Sequence, residues 1–345
     1  RDGSIDWCCF PRFDSPSVFG RALDARRGGH FRVGAAEATV SDDRAYLPSS
    51  NVLTTRFRTD TGELEVTDCM PVSRFDPTRP AAVAARHSVL RRVRCTGGRV
   101  IADLELEPRF EYGIVTPRYT VTSPTTATIV GGPDALWVRA SLPLDVTTDR
   151  IGGRWKLENG QEGWVEVAWT PAAGADPFGG RAGPAEMVRR LADTTAFWED
   201  WFDRCCSYDG EHHRKVHRSA LLLKALTYAP TGAVVAAGTA SLPEWIGGER
   251  NWDYRFTWIR DATLTLSSLV ILGSLGEADA FKGWLERTGA GRPDDLQIMY
   301  RVTGERLLPE LELDHLAGHR DSTPVRIGNG AAGQLQLDAY GQLLE

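Results

Sequence analysis

Arg250-Asn251-Trp252-Asp253-Tyr254-Arg255-Phe256-Thr257-Trp258-Ile259-Arg260-Asp261 is the stretch around which this chain is organised. It sets aromatic rings, guanidinium groups and two carboxylates close together. It then runs into Ala262–Leu272, a segment without a charge, which stops at Gly273. An uncharged run of that length closed by glycine predicts a core helix with Arg260 and Asp261 at its mouth. Trp and Tyr offer flat apolar faces with one polar handle each, Arg a planar fork of donors, and ionised Asp acceptors only. Such a set suits a ligand with apolar ring faces and a rim of hydroxyls, which describes a sugar. A core helix whose first turn carries a surface ion pair fits the same spacing, and spacing alone leaves both readings open.

The surrounding composition narrows the class. At 345 residues, with 42% hydrophobic and 25% charged residues, the chain reads as a soluble globular protein of two domains. A net charge of −6 argues against a nucleic-acid partner, which would call for a basic face. No membrane span is expected: the uncharged run from Ala225 to Pro243 is broken by Pro230, Gly232 and Gly238. The chain opens on Arg1-Asp2-Gly3, with neither Met nor a signal-peptide pattern, and reads as missing its first residues. Cys8, Cys9, Cys69, Cys95, Cys205 and Cys206 show no zinc spacing and no C-x-x-C, so free thiols in a reducing cytoplasm are expected. His213 and His217 stand at i, i+4 without a third ligand nearby. No metal and no cofactor are expected.

Residues 1–183 read as β structure. Val52–Arg58, Val100–Leu106 and Gly163–Trp169 partly alternate apolar and polar residues, and turn clusters fall at Asp60-Thr61-Gly62, Thr96-Gly97-Gly98, Gly131-Gly132-Pro133 and Gly152-Gly153. Many short strands at that spacing predict an antiparallel β-sandwich. Residues 184–211 read as a linker helix over Glu186–Cys206, carrying Trp198-Glu199-Asp200-Trp201. Residues 212–345 read as helices, His212–Tyr228, 262–272, Glu277–Thr288 and Ala332–Glu345, separated by long loops, as in an α/α toroid. Too few helices are present to close such a ring, and the chain reads as truncated inside its last one. Before that helix, Glu310, Glu312, Asp314 and His315 cluster, and Arg326, Asn329 and Gln336 add donors suited to hydroxyls. For Glu310 and Glu312, spacing alone favours an exposed, half-buried strand of alternating Glu and Leu.

Asp2-Gly3-Ser4-Ile5-Asp6-Trp7, Pro11–Ser17, Ser241-Leu242-Pro243-Glu244, Gly247–Arg255 and Pro324–Asn329 together resemble glycoside hydrolase family 15, in order and over nearly the whole chain. That family holds glucoamylases, glucodextranases and bacterial and archaeal trehalases. The resemblance implies an N-terminal β-sandwich, a linker helix and an (α/α)6 barrel, of which about the first third would be present. It implies an inverting, exo-acting hydrolase that releases glucose from an α-glucoside, either a glucan or trehalose. Tyr254 and Trp258 would wall the non-reducing glucose, Arg260 and Asp261 would grip its hydroxyls, and Arg326 and Asn329 would border the next sugar. Phe256 stands where the family commonly has Tyr. The family's general acid and general base would lie beyond Glu345, leaving no catalytic residue in this chain, and Trp198-Glu199 sits on the wrong element for that role. A non-catalytic carbohydrate-binding or interaction protein is the alternative, and association into a homo-oligomer stays open.

Overall fold

The structure, a computed structural model, describes residues 2–73, 83, 85–179, 183–289 and 296–344. The chain divides into two compact units, the first ending at Phe197 and the second beginning at Trp198, with Arg12–Ser15 belonging to the second.

The first unit is built on one antiparallel sheet of twelve strands, apart from which Cys8–Cys9 pairs with Ser17–Phe19. In chain order they are β1 (Ser4–Ile5), β2 (His30–Ala35), β3 (Ser41–Tyr46), β4 (Leu53–Arg58), β5 (Gly62–Cys69), β6 (Ser88–Glu107), β7 (Arg118–Ser123), β8 (Thr126–Gly131), β9 (Asp134–Ala140), β10 (Asp145–Val146), β11 (Ile151–Glu158) and β12 (Glu162–Pro171). The main order is β3-β4-β5-β6-β12-β9-β8-β7, and β2 and β11 pair with the far half of β6. Strand β6 is the spine. Its first half pairs with β5 and β12, its second with β2 and β11.

That strand corrects the expected turn at Thr96-Gly97-Gly98, where the chain runs on. Gly62 lies opposite Gly98, the register slips by a bulge at Glu63/Leu64, and Gly98 takes φ +64°, a conformation glycine adopts without steric cost. A glycine pair inside a strand reads like a turn in sequence, and here it lets one strand serve both halves of the sheet. Gly152-Gly153 is likewise inside β11 and not a turn. The expected pair of separate sheets is therefore one continuous sheet. Its two halves share one apolar core: Phe31, Val33, Leu104, Leu106, Trp155 and Leu157 from one half, Phe57, Leu64, Val93, Leu136, Val138 and Val167 from the other. Along β11 the period of two is plain, with Ile151, Gly153, Trp155 and Leu157 inward and Arg154, Lys156 and Glu158 outward.

From Pro184 the chain is helical: α1 (Pro184–Cys205), α2 (His213–Ala225), α3 (Ile259–Ile271), α4 (Leu275–Thr288) and α5 (Asp338–Leu344). Two expected helices are shorter. The one expected over His212–Tyr228 ends at Ala225, after which Thr227–Tyr228 pairs with Ala233–Val234 as a short ribbon. The one expected over Ala332–Glu345 is a 3-10 turn at Gly330–Gly333 followed, from Asp338, by α5, and Glu345 lies outside the described residues. Gly330 and Gly333 weaken a helix there, and Asp338 stands in the first turn of the later one. Among the described residues the helices form no closed ring.

In the second unit, Trp201 and Cys205 of α1 pack with Ala220 and Leu221 of α2 and Leu269 of α3. Ile259, Ala262 and Leu266 of α3 pack with Phe281 and Trp284 of α4. Three helices meet at a buried ion pair, Lys224 Nζ to Glu277 Oε1 at 2.6 Å, where the Trp201 indole also donates to Glu277 at 3.0 Å. Among the described residues no helix is long and apolar enough to cross a membrane.

Candidate functional site

A ribbon of backbone hydrogen bonds positions the decisive stretch. Ala236, Ala237 and Ser241 donate to the carbonyls of Phe256, Tyr254 and Trp252 at 3.0, 2.9 and 3.0 Å. The ribbon hands over to Thr257–Trp258, which pairs with Met299–Tyr300, and α3 starts at the next residue. The buried face of α3 is Ile259, Ala262, Leu266 and Leu269, three and four residues apart. Its far end closes with Gly273 N donating to Val270 and Ser274 N to Leu269, both at 2.9 Å.

That register leaves Arg260 and Asp261 within the first turn, off the apolar stripe. Both side chains are about two-fifths exposed, and Arg260 Nη2 lies 3.2 Å from Asp261 Oδ2. The Arg260 guanidinium also sits 5.4 Å above the Trp258 ring and 3.5 Å from Asp338 Oδ2. Trp258 is buried, its ring tilted against Tyr254 at 6.4 Å, and its indole N–H has no partner among the described residues. Burial keeps the Tyr254 hydroxyl above its ordinary pKa, with Glu244 acting the same way, so it stays a donor at neutral pH. Tyr254, Trp258, Arg260 and Asp261 thus form one contiguous cluster: two aromatic walls, a fork of donors and a carboxylate with open acceptor positions.

Arg326 and Asn329 come from a second stretch. Arg326–Ile327 pairs with Leu311–Glu312, so the acidic segment is an exposed strand. Arg326 lies flat over Trp252 at 4.7 Å, donates to the Glu249 carbonyl at 2.6 Å, and pairs with Glu312 at 3.0 Å and Glu310 at 3.7 Å. Its fork is largely engaged by the protein.

Residues 210–345 match the family described as Glycosyl hydrolases family 15, and residues 1–152 match the description Trehalase-like, N-terminal. The chain carries a glycosyl hydrolase family 15 domain behind a trehalase-like N-terminal domain. It is similar to a trehalase of Mycolicibacterium smegmatis, 39% identical over 99% of this chain and 53% of that protein. A trehalase of Thermoplasma volcanium is 36% identical over 99% of this chain and 53% of its own length. Among solved structures, a bacterial glucoamylase complexed with acarbose superposes with a TM-score of 0.60 at 10% identity, over 88% of this chain and 49% of that one, a likeness of fold. The chain spans about half the length of the curated relatives it matches.

Asp253, not among the residues expected to form the site, is one of several that tie the two stretches together, alongside Asn251, whose Nδ2 donates to the Ser322 and Pro324 carbonyls at 3.2 and 3.1 Å. Asp253 is fully buried. Its carboxylate accepts from Arg255 N, Nε and Nη2 at 3.1, 2.9 and 2.6 Å, and from Gly328 N at 3.2 Å. Arg255 Nη1 reaches the Ser15 carbonyl at 2.7 Å, so the Pro11–Ser17 motif buttresses this pair. Asn329 is buried as well. Its Nδ2 donates to the Asp253 carbonyl and its Oδ1 caps Ala331 N, both at 3.0 Å. Gln336, expected as a donor, hydrogen-bonds exposed Gln334 at 3.0 Å. His213 and His217 have rings 5.8 Å apart, and His217 meets Phe202 edge to face at 4.7 Å, with Nε2 2.7 Å from the Tyr208 carbonyl. Among the described residues no cluster of three or more His, Cys, Asp or Glu side chains is placed to hold a metal ion.

Proposed function

We propose that the protein is an α-glucoside hydrolase acting on trehalose, releasing glucose with inversion, and that Tyr254, Trp258, Arg260 and Asp261 hold the non-reducing glucose. The observation that carries this reading is the open Arg260–Asp261 pair beside the unpartnered indole N–H of Trp258, in a domain whose relatives are named trehalases. A pyranose presents C–H faces to the two rings and hydroxyls to the pair. A hydrogen bond to a charged group is worth roughly 1.5–3 kcal/mol, so two such contacts hold a ring against free rotation. Arg326, stacked on Trp252, borders the second sugar in this proposal. The helices from α2 onward are read as the first hairpins of an (α/α)6 barrel, with 1–183 as the β domain, 184–211 as the linker and 212–345 as the glycosidase part.

In an inverting reaction one carboxylic acid protonates the leaving oxygen while a carboxylate activates water, and the two stand roughly 6.5–9.5 Å apart. Asp253 is unsuited to either role because every side of its carboxylate is engaged. Trehalose makes the stereochemistry directly readable. Inversion releases one α- and one β-glucose from each molecule, whereas retention releases α-glucose only. Proton NMR of the first minutes of trehalose hydrolysis should show the two anomers in equal amounts, with maltose and isomaltose cleaved more slowly. Release of α-glucose alone would overturn inversion. Binding of trehalose with no glucose from any of the three would favour a carbohydrate-binding protein without catalysis.

A further inference from the structure

We infer that Asp253 is a positioning residue that holds the two sugar-facing stretches in register, and that Asn329 acts through it without touching the sugar. The inference rests on the proposed sugar site and names what sets its shape. Tyr254 and Trp258 follow Asp253 directly in the chain, while Arg326 lies just ahead of Gly328 and Asn329, some seventy positions on. Several contacts join these stretches, among them Asn251 Nδ2 to the Ser322 and Pro324 carbonyls at 3.2 and 3.1 Å and Arg326 Nη1 to the Glu249 carbonyl at 2.6 Å, and Asp253 makes two more. Its Oδ2 accepts from Gly328 N at 3.2 Å and its carbonyl accepts from Asn329 Nδ2 at 3.0 Å.

The arrangement is built for fixity. Arg255 clamps both carboxylate oxygens, at 2.9 and 2.6 Å, and is itself held by the Ser15 carbonyl. Gly328 takes φ +72°, and a Cβ there would stand 1.8 Å from the Pro309 carbonyl oxygen, so only glycine brings this backbone N–H up to Asp253. Asn329 spends both ends of its amide on backbone partners, one in each stretch. A buried carboxylate whose lone pairs are all taken by donors is rigid, since releasing any donor strands it in a low-dielectric interior. The geometry therefore assigns Asn329 to the frame, correcting the expectation that it meets the second sugar itself.

The test uses Asn329→Asp in the protein, which keeps the oxygen that caps Ala331 but turns the donor to Asp253 into an acceptor and adds a buried charge. The substrates are trehalose and its monodeoxy analogues. Positioning predicts that kcat/KM for trehalose falls roughly tenfold per folded molecule, with an unfolding midpoint lowered by the carboxylate now buried against the Asp253 carbonyl. It also predicts that each deoxy analogue loses the same factor in variant and wild type, because Asn329 is coupled to no single hydroxyl. If one analogue loses nothing further in the variant, Asn329 contacts that hydroxyl and the proposal is overturned.

Amide hydrogen exchange supplies a readout independent of turnover. Exchange at Gly328 should quicken at least tenfold in Asn329→Asp, and unchanged exchange there overturns the tie. Asp253→Asn should quicken it further, and if that variant does not fold, Asn329→Asp alone decides. Should the wild-type protein cleave no α-glucoside, the functional reading fails while the exchange result still decides the tie.

Discussion

Two Arg–Asp pairs lie within nine residues of each other, and they do opposite work. Asp253 and Arg255 have side chains 0% and 1% exposed, with contacts down to 2.6 Å, and every named partner belongs to the protein. Arg260 and Asp261 have side chains 43% and 41% exposed, meet at 3.2 Å, and keep open positions on both. The first pair is a joint and the second, in the function proposed above, is a grip. Identical chemistry is sorted by surroundings: burial makes the first pair intolerant of losing either member, and exposure leaves the second weakly coupled to folding but free for a ligand.

The contrast can be broken by mutation. The largest effect is expected from Asp253→Asn, which leaves the Arg255 guanidinium buried without its counter-charge. Unfolding stability should drop by about 3–5 kcal/mol, measured in urea or by heat. A drop under about 1 kcal/mol would make the joint no different from a surface pair.

Next comes another buried pair, Lys224–Glu277. Burial pushes the Glu277 carboxyl up, but Lys224 and Ser274 together outweigh that and hold it below its ordinary range. A carboxyl depressed in the folded state adds stability above its unfolded pKa of about 4.3, and that stability is lost as pH falls through the lower folded value. Unfolding midpoints followed downward from pH 6 should therefore fall more steeply for wild type than for Glu277→Gln. Equal slopes would remove Glu277 from the acid response.

Arg58, side chain 68% exposed and 3.2 Å from Glu63, sits at the small end. Arg58→Ala should change stability by less than about 1 kcal/mol in the same unfolding experiment.

How much of this could be read from residues alone follows the same division. Helix α3 was legible because an uncharged run closed by Gly273 is a local signal, as was the partial alternation over Val52–Arg58, Val100–Leu106 and Gly163–Trp169, which fall in β4, β6 and β12. The exposed strand Leu311–Glu312 was legible from alternation. Gly97-Gly98 was misread because a bulge and a turn ask the same thing of glycine, and only the partner strand decides between them. The last helix was drawn too long because its glycines were read as a loop ending at Gly330, whereas Gly333 carries the irregular stretch onward. The joint at Asp253 was invisible. Its burial depends on Ser15 and Gly328, far off in the chain, and nothing local separates an Asp that meets a backbone N–H from one that meets solvent. A donor-rich amide before a glycine, as at Asn329, reads equally as ligand or cap.

The central claim is that the exposed pair grips sugar and contributes little to folding. Its most direct test is Asp261→Asn, which keeps the side-chain shape and removes the charge. As a residue in the first turn of α3, Asp261 adds only about 0.3–1 kcal/mol through the helix dipole. As a sugar ligand, its loss should lower kcat/KM for trehalose by roughly ten- to a hundredfold. The account predicts that fall together with an unfolding midpoint within a few degrees of wild type. Near-normal turnover per folded molecule with a midpoint several degrees lower would contradict it, and would make Arg260 and Asp261 part of the scaffold.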